Sequence, residues 1–233
     1  MPPQPIPAVQ AHRYDWPMSA PAPSARRASS RGRIDKRQAI LQAAFTVFAA
    51  QGYELTSVQE IAAEANVAKA TVYSHLDDKE QLFRQTMATV AEAVLADSLA
   101  AVDRLRAVGD DLRAVWEDVA DELVRVCCDE RARALRSLAY AQVARFPDLI
   151  ADVQGRTSVR LAEALADRIA RLSLSGRIRP ADPTCAAEQF LALLTGPIET
   201  RSRMGTREIP AEELLVVSRS AVDTFLRAYA ADS

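Results

Sequence analysis

Cysteine is scarce in this chain. Only Cys127, Cys128 and Cys185 occur in 233 residues, and no two stand in a Cys-x-x-Cys pair. Adjacent cysteines rarely bridge each other, so the set argues against a disulfide framework or a zinc site and fits a reducing compartment. Histidine is rarer still, with only His12 and His75, so the whole C-terminal half lacks an imidazole base. There is no glycine-rich phosphate loop, no HExxH and no cluster of histidine, cysteine and carboxylate. These absences argue against an enzyme and leave no cofactor to expect. Glycine and aromatic residues are few and β-branched runs are short, which disfavours sheet and favours an all-α chain. No apolar run approaches the ~20 residues of a membrane-spanning helix. The N-terminus lacks the charged-then-apolar order of a secretion signal, and its prolines spoil an amphipathic transit helix. A cytoplasmic protein with no membrane partner is therefore expected. With a net charge of -2 the chain is no polycation, so any binding to nucleic acid rests on local charge.

What is present is alanine, leucine, arginine and acid, with lysine confined to Lys36, Lys69 and Lys79. Residues 1–30 carry Pro2, Pro3, Pro5, Pro7, Pro17, Pro21 and Pro23 and read as a disordered basic tail. Arg13, Arg26, Arg27, Arg31 and Arg33 face only Asp15 there. The stretch is either a solvated tail or an arm that neutralises phosphates or enters a minor groove. Arg31 and Arg33, which adjoin the folded part, favour the second reading.

From Asp35 the apolar spacing becomes helical, through Ile40, Leu41, Ala44, Phe45 and Phe48, with Gly52 placed to end the helix. Thr56, with Gln59 three residues on, is the expected cap of a short second helix whose inner face is Val58, Ile61, Ala62 and Ala65. Asn66-Val67 reads as a turn, because Asn tolerates a left-handed backbone. A third helix is expected over residues 68–76 with Val72 inward, then a fourth capped by Asp77 with Glu80 and running to about Ala101. Five further helices follow, making about nine. They open near Asp110 or Asp111, Arg131, Pro147, Asp182-Pro183 and Pro210, and Gly176 closes the long one that starts at Pro147.

Residues 56–76 have helix-turn-helix grammar. Two short helices that cross closely need a small residue on the first, a positive-φ residue in the turn and a branched apolar residue on the second. Ala62, Asn66 and Val72 hold those places, and Val67 plugs the corner. This leaves Lys69, Ala70, Thr71, Tyr73 and Ser74 on outward faces of a helix that fits a major groove.

Residues 36–84 resemble the DNA-binding domain of the TetR family of regulators. The likeness lies in Ile40-Leu41-Gln42-Ala43-Ala44, Phe48-Ala49-Ala50-Gln51-Gly52-Tyr53 and Thr56-Ser57-Val58-Gln59-Glu60-Ile61-Ala62. It continues through Thr71-Val72-Tyr73-Ser74-His75-Leu76 and Asp78-Lys79-Glu80-Gln81-Leu82. The remaining helices are similar in layout to an AefR-like C-terminal domain. The resemblance implies a dimeric, sequence-specific transcription regulator, with a helix-turn-helix domain over residues 31–84 and an effector-binding and dimerisation domain over residues 85–233. Repression of a palindromic operator, relieved by a small effector, is the family's usual mode. Thr56 and Ser57 would then contact phosphate, Lys69 and Thr71 base edges, and Tyr73, His75 and Lys79 the backbone, with Ala70 on the same face. Ala68 departs from the family's usual capping serine, at a cost of about 1 kcal/mol. Tyr73 also suits a core position, and Lys79 a solvated helix start.

The last two helices, with Ala186, Ala187, Ala192 and Ala221, are the expected dimer surface, although an ordinary core would use the same residues. Trp116, Cys127, Tyr140, Phe146 and Phe190 are the candidate effector pocket, and each is equally at home as packing. The rival reading is an architectural DNA-binding protein without ligand control. It would bind many duplexes alike.

Overall fold

The computed structural model describes residues 25–231, apart from 108, 110 and 204, with side chains from residue 34 on. The tail over residues 1–24 and the side chains of Arg31 and Arg33 lie outside the described residues. The chain divides into two compact units between Thr89 and Val90. Among the described residues there is no strand, only a single antiparallel bridge between Ile178 and Ala230.

In the first unit, α1 spans Ala25–Leu55, starting ten residues ahead of the helix expected at Asp35. Gly52 has φ 79° and ψ 171°, so the regular helix stops there and only a short turn continues to Leu55. The second helix, α2, is Val58–Glu64, α3 is Lys69–Tyr73 and α4 is Lys79–Asp103. Ile40, Leu41, Ala44, Phe45 and Phe48 of α1 are buried, as are Ile61, Ala62, Val72, Leu82, Phe83 and Met87. Phe48 and Phe83 pack edge to face at 4.9 Å, and Tyr53 leans on Phe83 at 4.8 Å. This cluster ties α1 to α4, and the core it belongs to also holds α2 and α3, which are too short to persist alone.

Two caps fall one residue later than expected. Ser57, not Thr56, caps α2, and its box partner is Glu60, not Gln59. Asp78, not Asp77, accepts from the Gln81 N–H at 2.7 Å at the start of α4, while Glu80 pairs with Arg84 instead. In each case two neighbouring residues are both good caps.

The second unit contains the rest of α4, a 3-10 turn at Arg104–Ala107, α5 (Leu112–Cys128), α6 (Glu130–Ala141), α7 (Pro147–Gln154), α8 (Arg160–Leu174), α9 (Pro183–Arg201) and α10 (Ala211–Tyr229). A π-type turn at Gly155–Val159 joins α7 to α8 without a break, so the long helix expected from Pro147 forms as one rod. The described residues thus make nine helical rods. Asp111 caps α5 by accepting from Ala114 N–H, Asp129 caps α6 and Asp182 caps α9. Proline at the first position of α7 and α9 costs no hydrogen bond, because that N–H has no helical partner. Gly176, at φ 74°, ends α8.

Trp116 of α5, Phe190 of α9 and Phe225 of α10 meet at centroid distances of 4.6–5.0 Å and are fully or almost fully buried. This cluster binds the three helices into one core. Ala186, Ala187 and Ala221 are spent in that core too, so of the four alanines assigned to a dimer surface only Ala192 is exposed. Close packing of α9 on α10 within the chain takes up the small residues first.

Candidate nucleic-acid interface

The bend between α2 and α3 is built as its residues require. Asn66 has φ 53°, a left-handed conformation that Asn adopts at modest cost. Ala65 N–H donates to Ile61 O, and Val67 N–H reaches back to Ala62 O at 2.9 Å, so the turn is closed on the end of α2. Val72, 1% exposed, anchors α3 from beneath. What remains of α3 faces outward: Lys69, Ala70, Tyr73 and Ser74 are exposed and Thr71 is half-buried. Tyr73 is 45% exposed, which rules out the core alternative for its ring. Lys69 Nζ lies 5.9 Å from that ring, so the cation and the phenol share one patch.

Ala68 precedes α3 with extended backbone and no side-chain cap. The first N–H groups of α3 therefore have no side-chain acceptor from that position. His75 and Lys79 are half-buried beyond the end of α3, and Ser57 is exposed at the start of α2. Ser57 Oγ and Glu60 are tied together, with Ser57 N–H donating to Glu60 Oε2 at 2.7 Å. Those hydrogen bonds from Ser57 hold the Glu60 carboxyl below its ordinary range.

Two residues of this face have partners within the chain that their local pattern does not suggest. Thr56 is 3% exposed and its hydroxyl donates to Gly52 O at 2.7 Å. That hydroxyl serves the bend after α1, so only the Thr56 backbone is left for a phosphate contact. Lys79 does more than solvate a helix start: Nζ donates to Glu54 O at 3.2 Å and sits 4.5 Å from the Tyr53 ring centroid. It ties the start of α4 to the turn that follows α1. No local pattern signals this, because the partners lie about 25 residues away in the chain.

The five residues assigned to an effector pocket are dispersed. Trp116 and Phe190 share the aromatic core, and the Trp116 Nε1–H is buried there without an acceptor. Phe146 is buried ahead of α7, and Tyr140 is largely exposed on α6. Cys127 lies at the end of α5, where Arg136 donates to its carbonyl at 2.7 Å and approaches its Sγ at 3.7 Å. A hydrogen bond from Cys128, aided by Arg136, lowers the Cys127 thiol to about 7, whereas holding that bond pushes Cys128 up.

None of the five residues borders either of two cavities found among the described residues of this unit. The larger, about 340 Å³, lies among Asp97, Arg104, Glu122, Arg125 and Asp129. Its charges are paired: Arg125 with Glu122 inside the lining, Arg104 with Asp118 and Asp97 with Arg131 just outside it. The second, about 250 Å³, lies between the end of α5, α6, α9 and the turn into α10, with Cys128, Arg133, Arg136, Ile198, Ile209 and Leu214 among its walls. Arg133 and Arg136 escaped selection because arginine is common throughout the chain. Their one signal is the i, i+3 spacing that puts both on one face of a helix.

An exposed short helix held over a closed turn, on a three-helix core, defines a helix-turn-helix DNA-binding protein. Residues 40–86 match the family described as bacterial regulatory proteins, tetR family. Residues 114–231, just over half the chain, match the AefR-like transcriptional repressor C-terminal domain. The transcriptional repressor AcnR of Corynebacterium efficiens is 26% identical over 193 residues, covering 81% of this chain and 93% of AcnR. The uncharacterized regulator YfiR of Bacillus subtilis is 32% identical over 106 residues, 45% of each chain, so less than half of YfiR is spanned. A Mesorhizobium loti protein described as a TetR-family transcriptional regulator has a solved structure that superposes with a TM-score of 0.80 at 29% identity, covering 85% of this chain and 98% of that one. This chain belongs to the TetR family and is a DNA-binding transcriptional regulator. Among its described residues no helix is long and apolar enough to cross a membrane.

Proposed function

We propose that this regulator binds a palindromic operator as a homodimer, represses from it, and leaves it when a small effector occupies the second unit. The observation that carries the reading is the outward face of α3, where Lys69, Ala70, Thr71 and Tyr73 stand over the left-handed turn at Asn66. A helix so short offers its N-terminal residues to base edges, so Lys69 and Thr71 are assigned to bases. Ser57, Tyr73, His75 and Lys79 are assigned to phosphate, with Arg31 and Arg33 as an arm beside them. Residues 31–84 would form the DNA-binding domain, and residues 85–233 the effector and dimer domain. Two recognition helices about 34 Å apart require two copies of the chain. The outward faces of α9 and α10, with Ala192, Leu215 and Val216, are the surface assigned to that pairing. AcnR, which is named a repressor, favours repression over activation. The effector acts by binding better to a form whose recognition helices are misspaced.

The test is binding of the purified chain to fragments of its own upstream DNA by anisotropy at several salt concentrations, with mass in solution measured alongside. A dimer that prefers one fragment by at least about a thousandfold over random duplex supports the reading. Equal affinity for all duplexes supports the architectural alternative, and failure to bind any at low salt overturns both.

A further inference from the structure

The charges around the 250 Å³ cavity do not cancel as those of its neighbour do. Arg207 pairs with Glu213 at 2.6 Å, and Arg125 with Glu122 at 2.6 Å. Asp129 is committed to the Ala132 N–H at the cap of α6 and lies 3.5 Å from Arg131. Glu208 is exposed at the rim. Two guanidiniums are left over. Arg136 gives one N–H to the Cys127 carbonyl and one to its sulfur, which leaves three of its five N–H donors and no carboxylate partner among the described residues. Arg133 has no carboxylate partner among the described residues, and its Nε–H is buried without any acceptor. A guanidinium nitrogen kept from water with an unmet donor is costly, as at Arg133 Nε, and two guanidiniums one turn apart on α6 repel each other. Ile198, Ile209 and Leu214 form an apolar wall of the same cavity.

We propose that this cavity binds a small organic carboxylate, with Arg133 and Arg136 holding the anion and Ile198, Ile209 and Leu214 covering its apolar part. The guanidinium fork matches a carboxylate in plane and in charge, and two such forks supply the donors that one carboxylate can accept. The apolar wall disfavours inorganic phosphate and sulfate, which have no apolar part to cover. The volume sets the size: a cavity of about 150 Å³ holds benzene, so 250 Å³ holds a single ring or a short chain bearing its carboxylate. Since Ile198 of α9 and Ala211 and Leu214 of α10 line this cavity, occupancy acts on the helices assigned to dimer geometry. The proposal names the ligand class of the effector domain and in that respect rests on the regulator reading.

The experiment is calorimetric titration and thermal unfolding of the full chain with benzoate, phenylacetate, hexanoate and octanoate. Each acid is compared with its uncharged primary amide and with inorganic phosphate. At least one carboxylate should bind and raise the melting temperature, while its amide binds at least tenfold more weakly and phosphate does not bind. Arg133→Gln and Arg136→Gln should each weaken that carboxylate tenfold or more, and Arg133→Lys should recover part of the loss. Arg104→Gln, in the other cavity, should change nothing. Binding that ignores the charge of the ligand, or that survives both glutamine variants, overturns the proposal, as does failure of all four acids. The upstream DNA fragment is titrated in parallel. Carboxylate binding without any DNA binding would sink the regulator reading and leave the site standing; DNA binding without carboxylate binding would sink only the site.

Discussion

Ser57 and Glu60 satisfy each other at the start of α2: the Glu60 N–H donates to Ser57 Oγ at 3.2 Å, and the Ser57 N–H donates to Glu60 Oε2 at 2.7 Å. The reciprocal pair closes two N–H groups that the helix cannot serve itself. Because these bonds hold Glu60 below its ordinary value of 4.5, the pair stabilises the fold fully above that value. The contribution is lost as pH falls through the lowered folded value. Glu60→Gln should therefore be less stable than the parent at pH 7, and the gap should narrow as pH drops below about 4. Ser57→Ala should cost about 1 kcal/mol at neutral pH. Thermal unfolding across pH measures both, and a pH-independent gap would contradict the assignment of the box.

Asn66 stands at φ 53° in the turn between α2 and α3. Glycine reaches that conformation without a Cβ penalty, whereas a β-branched residue does so at real cost. Asn66→Gly should leave stability within about 0.5 kcal/mol of the parent, while Asn66→Val should lose about 1–2 kcal/mol and weaken DNA binding by misplacing α3. Denaturant unfolding paired with anisotropy separates the two effects.

Lys69 and Lys79 make different predictions although both are lysines beside an aromatic ring. Lys69→Ala should cost about 1–3 kcal/mol of discrimination between the preferred fragment and random duplex, with stability unchanged. Lys79→Ala should weaken every duplex alike and reduce the salt slope by about one. It should also lower the melting temperature, because the contacts to Glu54 O and the Tyr53 ring are lost. Unchanged sequence preference in Lys69→Ala would remove that residue from the base contacts.

Asp129 caps α6 while burial raises its carboxyl above the ordinary 3.8. A raised carboxyl disfavours the charged form in the fold, so its stabilising share is present at low pH and lost as pH rises through the raised value. Asparagine caps as well as aspartate and carries no charge to bury. Asp129→Asn should then match or exceed the parent in stability at pH 7, whereas Asp129→Ala should lose about 1 kcal/mol. A loss in Asp129→Asn as large as that in Asp129→Ala would show that the charge, not the cap, is what α6 needs.

The residues that were legible before folding are those whose roles close within a few positions. Gly52, Asn66, Asp182-Pro183 and Gly176 act on their own turn of backbone, and each stands where its φ or its missing N–H requires. The one-residue errors at Ser57 and Asp78 arose where Thr56-Ser57 and Asp77-Asp78 offer two caps side by side. Local chemistry ranks such neighbours equally. Thr56 loses because its side chain turns inward to Gly52 O, and only packing against α1 decides that.

Helical periodicity, end signals and the run from Thr56 to Leu82 determined the all-α architecture and the outward face of α3, since a helix joins residues three and four apart. The tertiary structure alone decided that Trp116, Phe190 and Phe225 share one core and that Lys79 is held by Tyr53 and Glu54. It decided too which arginines of the second unit lack a carboxylate. Such pairings join residues tens of positions apart, where burial and the competition for partners, rather than spacing along the chain, set the outcome.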